Sequence, residues 1–239
     1  MVNFSLKSQY CSRMSQVVIT KNTLDFLNDL KKNNNREWFE KNKKRFKTQQ
    51  TEVKKFFQGI MERLNTHDKI EKMKIFRIYR DIRFSKDKTP YKFNFSASFT
   101  RLGAERRGGY YVHIQPEGSF IATGFWNPEK EDLFRIRKEW EVDAIDFRRI
   151  MENHDFQKIW GSLEGEELKT APKGFDKEDP NIDLIRKKQF IFIRRFTDKE
   201  VMSPNFLETI NDSFVAIRPY FDLMSNILTT NLNGESLLD

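Results

Sequence analysis

Short segments in which apolar and polar residues alternate leave this chain few choices of fold. In "KFNFSASFT", every second residue from Phe93 to Phe99 is apolar, and "YYVHIQ" repeats the alternation from Tyr110 to Gln115. A "PEGS" turn then leads into "SFIATGFW", a further run of strand-forming residues. A period of two gives each strand one apolar and one polar face. Because the links are short, we expect these strands to pair as an antiparallel meander.

An earlier segment, "KIFRIYRDIRF", is expected to form the first strand of this meander. Phe76, Ile78, Ile82 and Phe84 share one parity of the alternation, and Arg80 interrupts it, which predicts a bulge. The same strand holds three arginines. Each must be solvated, paired or bound to an anion, since an unpaired buried charge costs on the order of several kcal/mol.

Helices are predicted before the meander. "TLDFLNDLKKNNN" is typical of a short helix that ends at its asparagine cluster. Residues 36–65 are expected to form one long amphipathic helix, whose apolar residues recur every seven positions at Phe39, Phe46, Val53 and Ile60. A coiled-coil arm would use the same repeat, but Asn42 and Gln49 interrupt the seam, which favours packing on a sheet.

The second half of the chain adds helices and one more strand. "NPEKEDLFRIRKEW" is a capped helix, "QFIFIRRF" a strand, and a C-terminal helix opens at Pro204. The order predicts an α+β fold: a single domain with a largely antiparallel sheet and helices packed on one face. We place this domain at 20–228, between a poorly ordered extension at 1–19 and a tail at 229–239.

Positive charge is concentrated in one part of the chain. The whole sequence carries a net charge of +8, and residues 74–107 hold ten cations against three acids, a local net charge of +7. Such a concentration favours an anionic partner: a phosphorylated small molecule, a nucleotide, nucleic acid or an acidic protein. A well-solvated basic surface that binds nothing specific is the alternative.

The predicted anion-binding residues lie in the segment "FRIYRDIRFSKDKTPYK". Guanidinium groups bind phosphate in two-point contacts, and hydroxyl groups add hydrogen bonds. The candidate ligands of the anion are Arg77, Arg80, Arg83, Ser85, Lys86, Lys88, Tyr91 and Lys92. Asp81 and Asp87 are expected to orient the arginines. The alternative is an ordinary hairpin turn whose lysines prevent aggregation of an aromatic sheet.

Catalytic residues are only weakly indicated. If the strands pair as a meander, Tyr111 and His113 face the same side as the basic cluster. His113 is the best acid or base candidate because histidine titrates near neutrality, with Tyr111 and Asp81 as further candidates. A structural hydrogen-bonding role for His113 is the alternative. The sequence does not name a reaction, so whether the protein is an enzyme stays open.

Several classes of site are not expected from this sequence. Cys11 is the single cysteine, which rules out an internal disulfide and favours a cytoplasmic protein. The three histidines and Cys11 lack ligand spacing, so we predict no metal centre. Glycine-rich nucleotide motifs and a serine elbow are missing, and we predict no cofactor. No apolar run approaches the roughly 20 residues of a membrane span.

Several blocks of the sequence resemble a known family. These are "LDFLNDLKKNNNREWFEKNKKRF", "FRIYRDIRFSKDKTPYKFNFSASF", "GGYYVHIQPEGSFIATGFWNP", "LFRIRKEW" and "APKGFDKEDPNIDLIRKKQF". They are similar to successive blocks of the bacterial family catalogued as domain of unknown function 2461. The resemblance runs from about Thr23 to Pro219 and implies a single domain. It implies no activity, cofactor or catalytic residue.

Two hypotheses about function follow, and non-specific nucleic-acid binding, with an affinity that falls steeply with salt and ignores sequence, is a third possibility. The first is an anion-binding protein, possessing or lacking an enzymatic activity, that holds a phosphate-bearing ligand with the basic cluster. The second is a non-enzymatic interaction module that docks an acidic protein partner through its basic sheet face. A concave site around Arg80 and His113 would favour the first hypothesis, and a flat basic face the second.

Overall fold

The computed structural model describes residues 17–238, and a five-stranded antiparallel sheet with strands in chain order forms its centre. The strands are β1 (Ile70–Ile75), β2 (Phe95–Arg101), β3 (Gly109–Ile114), β4 (Ser119–Phe125) and β5 (Phe190–Phe196). The α+β class and the antiparallel meander are therefore confirmed.

Ten helices lie within the described part of the chain. They are α1 (Lys21–Lys32), α2 (Arg36–Lys41), α3 (Lys43–His67), α4 (Lys130–Val142), α5 (Ile145–Glu152), α6 (His154–Trp160), α7 (Ile182–Ile185), α8 (Asp198–Val201), α9 (Phe206–Ala216) and α10 (Arg218–Thr229). None of these helices is long and apolar enough to cross a membrane.

The first strand lies earlier than the sequence pattern predicts, so its placement at 74–84 is wrong beyond Ile75. After Ile75 the chain leaves the sheet and returns at Phe95. The excursion, residues 76–94, is called the basic loop below. Its two arms meet at a single bridge between Tyr79 and Tyr91. The ladder cannot continue into Pro90, which has no N–H group to donate, and the charged residues beyond it cannot line a core.

The predicted long helix is broken at Asn42, so a single helix over 36–65 is also wrong. Asn42 has φ −103° and ψ 10°, which separates α2 from α3. Its side-chain amide donates to the Trp38 carbonyl at 2.9 Å, the kind of local hydrogen bond that competes with helix continuation. α3 contacts β1, β2 and α9, so the helix packs on the sheet as the sequence favours.

The sheet has one covered face and one open face. Inward side chains such as Phe99, Tyr110 and Phe192 are almost fully buried. Tyr110 packs on Phe214 and Phe221 of α9 and α10, with ring centroids 4.7 and 5.2 Å away. Because side chains alternate along a strand, the neighbouring positions point away from these helices. These outward side chains form what we call the open face.

A buried carboxylate joins the sheet to the helices. Asp68, just after α3, accepts hydrogen bonds from Arg101 Nε at 2.7 Å and Tyr110 Oη at 2.6 Å. Arg218 of α10 approaches the second carboxylate oxygen at 3.1 Å. The side chains of Asp68 and Arg101 are 0% and 1% exposed. Arg101 also lies over the ring of Phe221, 4.8 Å from its centroid.

The electrostatics of this cluster keep Asp68 charged. Burial by itself would raise the pKa of the carboxyl group. Hydrogen bonds from Tyr110 and the Lys69 amide, together with Arg101, outweigh burial and lower the pKa. Burial and the bond to Asp68 raise the pKa of Tyr110, so its hydroxyl stays protonated as a donor.

The ends of the described chain are also packed. Ile19, before α1, is 1% exposed. After α10, Thr230 and Ser236 form an isolated bridge, and Arg135 donates to the Thr230 carbonyl at 2.9 Å. Most of the predicted extension at 1–19 lies outside the described residues, and the domain boundaries stay predictions.

We expect Asp68→Ala to lower the free energy of unfolding by about 3–5 kcal/mol, because Arg101 would keep its buried charge without a partner. Asp25→Ala is the control, since Asp25 pairs with Lys21 on the exposed surface of α1. It should change the free energy by less than about 1 kcal/mol. Chemical denaturation measures both variants, and equal losses would contradict the assigned role of Asp68.

The lowered pKa of Asp68 also predicts a dependence of stability on pH. Because the folded pKa lies below the unfolded one, the stabilisation is complete above the unfolded value of about 3.9. It is lost as pH falls through the folded pKa. We expect Asp68→Asn to flatten the acid limb of the stability curve relative to the native protein, measured by urea unfolding below about pH 5. An unchanged acid limb would contradict this prediction.

Candidate functional site

The basic loop is held together by its own ion pairs. The Arg80 guanidinium pairs with Asp87, donates to Thr89 Oγ1 at 2.5 Å and lies 3.4 Å from Ser85 Oγ. Hydrogen bonds from Arg80 and from the backbone and side chain of Thr89 lower the pKa of Asp87 to about 2. Arg80 and Ser85 are therefore engaged within the loop, and Asp87 orients Arg80 as the sequence predicts.

A second ion pair and a backbone contact use two more of the predicted anion ligands. Arg83 donates to both oxygens of Asp81, at 3.0 and 2.7 Å. Lys88 Nζ donates to the Ile82 carbonyl at 3.0 Å. Asp81, also a catalytic candidate, thus serves Arg83 and makes no hydrogen bond to Tyr111 or His113 among the described residues.

Tyr91 contributes mainly to packing. It is 4% exposed, and its ring stacks on Phe39 at a centroid distance of 4.0 Å. Tyr91 and Arg80 line a cleft of about 390 Å³ together with Arg36 and Glu40. The Glu40 carboxylate in this cleft pairs with Lys43 at 2.9 Å, and Arg80 is engaged by Asp87.

The remaining predicted ligands of the anion are Arg77, Lys86 and Lys92. Within residues 17–238, none of the three side chains has an ion-pair partner within 4.0 Å, in contrast to Arg80 and Arg83. Lys86 belongs to the tip of the basic loop, beside Phe84, which is 95% exposed. Lys92 instead lies over the ring of Phe76, with Nζ 5.5 Å from the ring centroid.

Aromatic rings form a continuous patch on the open face. Phe76 meets Tyr111 with ring centroids 6.0 Å apart, and Tyr111 meets Phe120 at 5.8 Å. His113 stacks on Phe120 at 4.6 Å, with an angle of 16° between the rings. The patch forms one wall of a trough of about 570 Å³. Trp126, which is 59% exposed, also lines the trough.

Small side chains form the floor of this trough. They belong to adjacent strands and are Ser98, Thr100, Gly109, Ala122 and Gly124. The register places Ser98 opposite Tyr111, and Tyr111 opposite Ala122. A flat ligand can therefore approach the backbone of the sheet while the larger rings hold its sides.

Lys72, Lys74 and Lys92 lie beside residues that line the trough, and Arg77 follows Phe76 in the sequence, close enough for its charge to act on Lys92. We call these four cations the basic rim. Lys72 pairs in register with Thr100, and Lys74 with Ser98. Lys74 Nζ lies 5.3 Å from the centroid of the Phe76 ring. Burial, followed by the nearby charges of Arg77 and Arg80, lowers the pKa of Lys92. In the described part of the chain, none of the four rim cations has an ion-pair partner.

Tyr111 and His113 lie together on the open face, as the meander predicts. Tyr111 Oη is 3.1 Å from His113 Nδ1, and His113 Nε2 is 3.2 Å from Gln115 Oε1. Burial is the main cause that lowers the pKa of His113, so the ring is neutral at pH 7. A neutral ring accepts the Tyr111 proton at Nδ1 and donates to Gln115 from Nε2. Both nitrogens are thus used to orient rings, and a catalytic role stays a prediction.

The comparisons with known proteins identify a family. A family model described as conserved hypothetical protein (DUF2461) matches residues 22–223. The chain belongs to the DUF2461 family. No curated protein and no solved structure matches it. The resemblance seen in the sequence is therefore confirmed, and the DUF2461 description assigns no activity to the open face.

Sequence reasoning missed two rim lysines of this DUF2461 protein and two aromatic residues. Lys72 precedes the predicted first strand, and Lys74, the first residue of that strand, is counted among the cations of 74–107 but not among the predicted anion ligands. With β1 at 70–75, the two lysines alternate with Met73 and Ile75 and share the open face with Phe76. Phe120 and Trp126 lay in a predicted strand, but their face depends on the register of β4.

No metal centre is formed by residues 17–238, since no three His, Cys, Asp or Glu side chains lie close enough to share an ion. Glu71 is an exposed carboxylate on β1, at the irregularity in the pairing of β1 with β2. Glu164 lies near β5, but Arg195 pairs with it at 2.8 Å. The arrangement is suited to a ligand that is flat, apolar on its faces and negatively charged at its edge.

We expect Arg80→Gln to raise the pKa of Asp87 from about 2 toward the ordinary value of about 3.9. The variant removes the hydrogen bond that lowers this pKa most. Arg83→Gln is the matched control: it should raise the pKa of Asp81, which Arg83 lowers, and leave Asp87 unchanged. Carbon-detected NMR titration measures both carboxyl groups. An Asp87 pKa that stays near 2 in Arg80→Gln would contradict the assigned pair.

Proposed function

We propose that this chain binds a phosphate-bearing ligand on the open face of its sheet, with the basic rim as the anion-binding element. The observation that carries the proposal is the contrast between two sets of cations. Arg80 and Arg83 are paired within the basic loop, whereas the four rim cations have no partner among the described residues. An anionic ligand would supply the missing partner.

The position of the rim supports the same proposal. Lys74 and Lys92 both lie within 5.5 Å of the Phe76 ring centroid, at the border of the trough. A phosphate group there would meet two ammonium groups, while the attached organic group lies in the trough. The partial burial that lowers the pKa of Lys92 also reduces its screening by solvent, which strengthens a bond to an anion.

A thermal-shift and binding experiment tests this proposal. The probes are inorganic tripolyphosphate, ATP and a DNA oligonucleotide of about 12 thymidines. At low salt we expect at least one probe to stabilise the native protein, with an affinity that falls as salt rises. In Lys74→Gln/Lys92→Gln, affinity should fall roughly tenfold and the logarithmic salt slope should decrease by about one to two.

The control variant is Lys47→Gln/Lys54→Gln, which removes the same charge from exposed positions on α3. It should keep most of the binding, because α3 covers the opposite face of the sheet. If both double variants lose the same affinity for the probes, net charge alone explains the loss, and a rim site is contradicted. The absence of stabilisation by every probe would also contradict the proposal.

A second candidate function is docking of an acidic protein partner, and the exposed tip of the basic loop favours it. Phe84 is 95% exposed, and Arg83 lies over its ring at 5.9 Å. An exposed aromatic ring beside cations is a common anchor in protein interfaces. A labelled poly-glutamate peptide tests this function. It would be favoured over the first if Phe84→Ser/Lys86→Glu abolishes binding of the peptide and Lys74→Gln/Lys92→Gln preserves it.

A further inference from the structure

We infer that the ligand of the open face is a single strand of nucleic acid, whose unpaired bases stack in the trough while its phosphates meet the basic rim. This inference rests on the proposed function, because it takes phosphate binding by the rim as given. It goes further by assigning the trough to nucleobases and by requiring a strand in place of a single nucleotide or a duplex.

The shape and chemistry of the trough suit unpaired bases. Its wall consists of the aromatic rings of Phe76 at the start of the basic loop, Tyr111 of β3 and Phe120 of β4, and its floor of glycine, alanine and small hydroxyl side chains. Every base has a flat π-face, and stacking on aromatic side chains is the usual way in which proteins hold unpaired bases. The small floor residues leave room for a ring at the sheet surface.

The aromatic rings of the wall are held in place before a ligand arrives. The hydrogen bonds from Tyr111 to His113 and from His113 to Gln115 fix both aromatic side chains. The stacking of His113 on Phe120 fixes a third ring. A preorganised platform loses little conformational entropy when a base stacks on it. A neutral His113 further keeps the platform apolar.

Positive charge lies directly beside the aromatic rings. Lys74 and Lys92 both lie over the ring of Phe76, so cation and stacking surface are adjacent, as base and phosphate are in a nucleotide. From Lys72 at one end of the rim to Phe76, an extended polypeptide spans roughly 13 Å. This length exceeds a single phosphate group, which favours a ligand with several phosphates in a row.

The trough selects a single strand over a duplex, with little selection of base sequence. A duplex keeps its bases stacked inside, so it can offer only phosphates to the rim and cannot fill the trough. Within the trough, the polar side-chain groups of the floor are the hydroxyls of Ser98 and Thr100. With so few groups to read base edges, we infer binding that prefers single strands and depends weakly on sequence.

Fluorescence anisotropy of labelled probes on the full chain tests the inference. The probes are an oligothymidylate of about 12 nucleotides, an abasic deoxyribose-phosphate strand of equal length, the same oligothymidylate in a duplex with oligoadenylate, and thymidine monophosphate. We expect the single strand to bind about tenfold more tightly than the abasic strand, and more tightly than the duplex or the mononucleotide. This comparison needs no variant, so it does not depend on whether a substitution folds.

Variants then locate the stacking surface. In Tyr111→Leu and in Phe120→Leu, the affinity for oligothymidylate should fall to about the affinity for the abasic strand. The affinity for the abasic strand should stay unchanged. Phe84→Leu is the matched control at the tip of the basic loop and should alter neither affinity. Trp126 gives a direct readout: oligothymidylate should quench tryptophan emission, the abasic strand should not, and Trp126→Phe should remove the quenching.

The outcomes separate this inference from the proposed function. If the abasic strand or the duplex binds as tightly as the single strand, base stacking is overturned and the phosphate-binding rim stands. If thymidine monophosphate binds as tightly as the oligonucleotide, the requirement for a strand is overturned. If the abasic strand and the oligonucleotide both fail to bind at low salt while tripolyphosphate or ATP still binds, the strand is overturned and the phosphate-binding rim stands. If those two probes fail as well, the proposed function fails with it.

Discussion

The carboxylate of Asp68 is the contact on which the arrangement of helices and sheet depends. It sits where α3 ends, and its partners come from β2, β3 and α10 in the form of Arg101, Tyr110 and Arg218. An arginine that is 1% exposed has no alternative partner of equal strength, so the carboxylate is needed once the helices cover the sheet. Because both charges are buried, forming the Asp68–Arg101 pair costs desolvation free energy, and removing one partner costs more. The pair therefore holds the end of α3, β2, β3 and α10 in one arrangement. The helices that meet the sheet therefore lie on one side of it, and the open face is left to water.

The cations of the basic loop fall into two groups: Arg80 and Arg83 stabilise the loop itself, and Lys92 lies beside the trough. Arg80 and Arg83 use Asp87 and Asp81 to give shape to a loop that leaves the sheet between β1 and β2. Lys92, at the end of the same loop, returns to the sheet and lies over Phe76. A high local net charge therefore does not by itself mark a binding site. What matters is which cations keep a partner inside the protein and which face a surface without one.

Much of the fold could be predicted because alternation is a local signal that burial reinforces. In β2 and β3 the pattern and the structure agree to within two residues, since the two faces of these strands have distinct environments. The first strand was misplaced because the alternation in 76–84 is stronger than that of β1, while the effects of Pro90 on the ladder and of ion pairing on the loop are not local. The break at Asn42 likewise depends on one side-chain hydrogen bond. For the site, charge identified the right segment, but the partners of each arginine depend on loop geometry that a periodic pattern does not contain.

The chain order of the strands has a consequence for how the protein folds. Every strand pairs with the next along the chain, and β1 to β4 lie within a stretch of 56 residues, 70–125. The β2–β3 and β3–β4 hairpins close short loops and lose little chain entropy, whereas β1 pairs with β2 across the longer basic loop. The contacts of Arg218 with Asp68 span most of the chain and can form only after α10 has been made. Synthesis on the ribosome thus produces four strands of the meander, with α3 available to cover β1 and β2, before α9 and α10 exist to cover the rest of the same face.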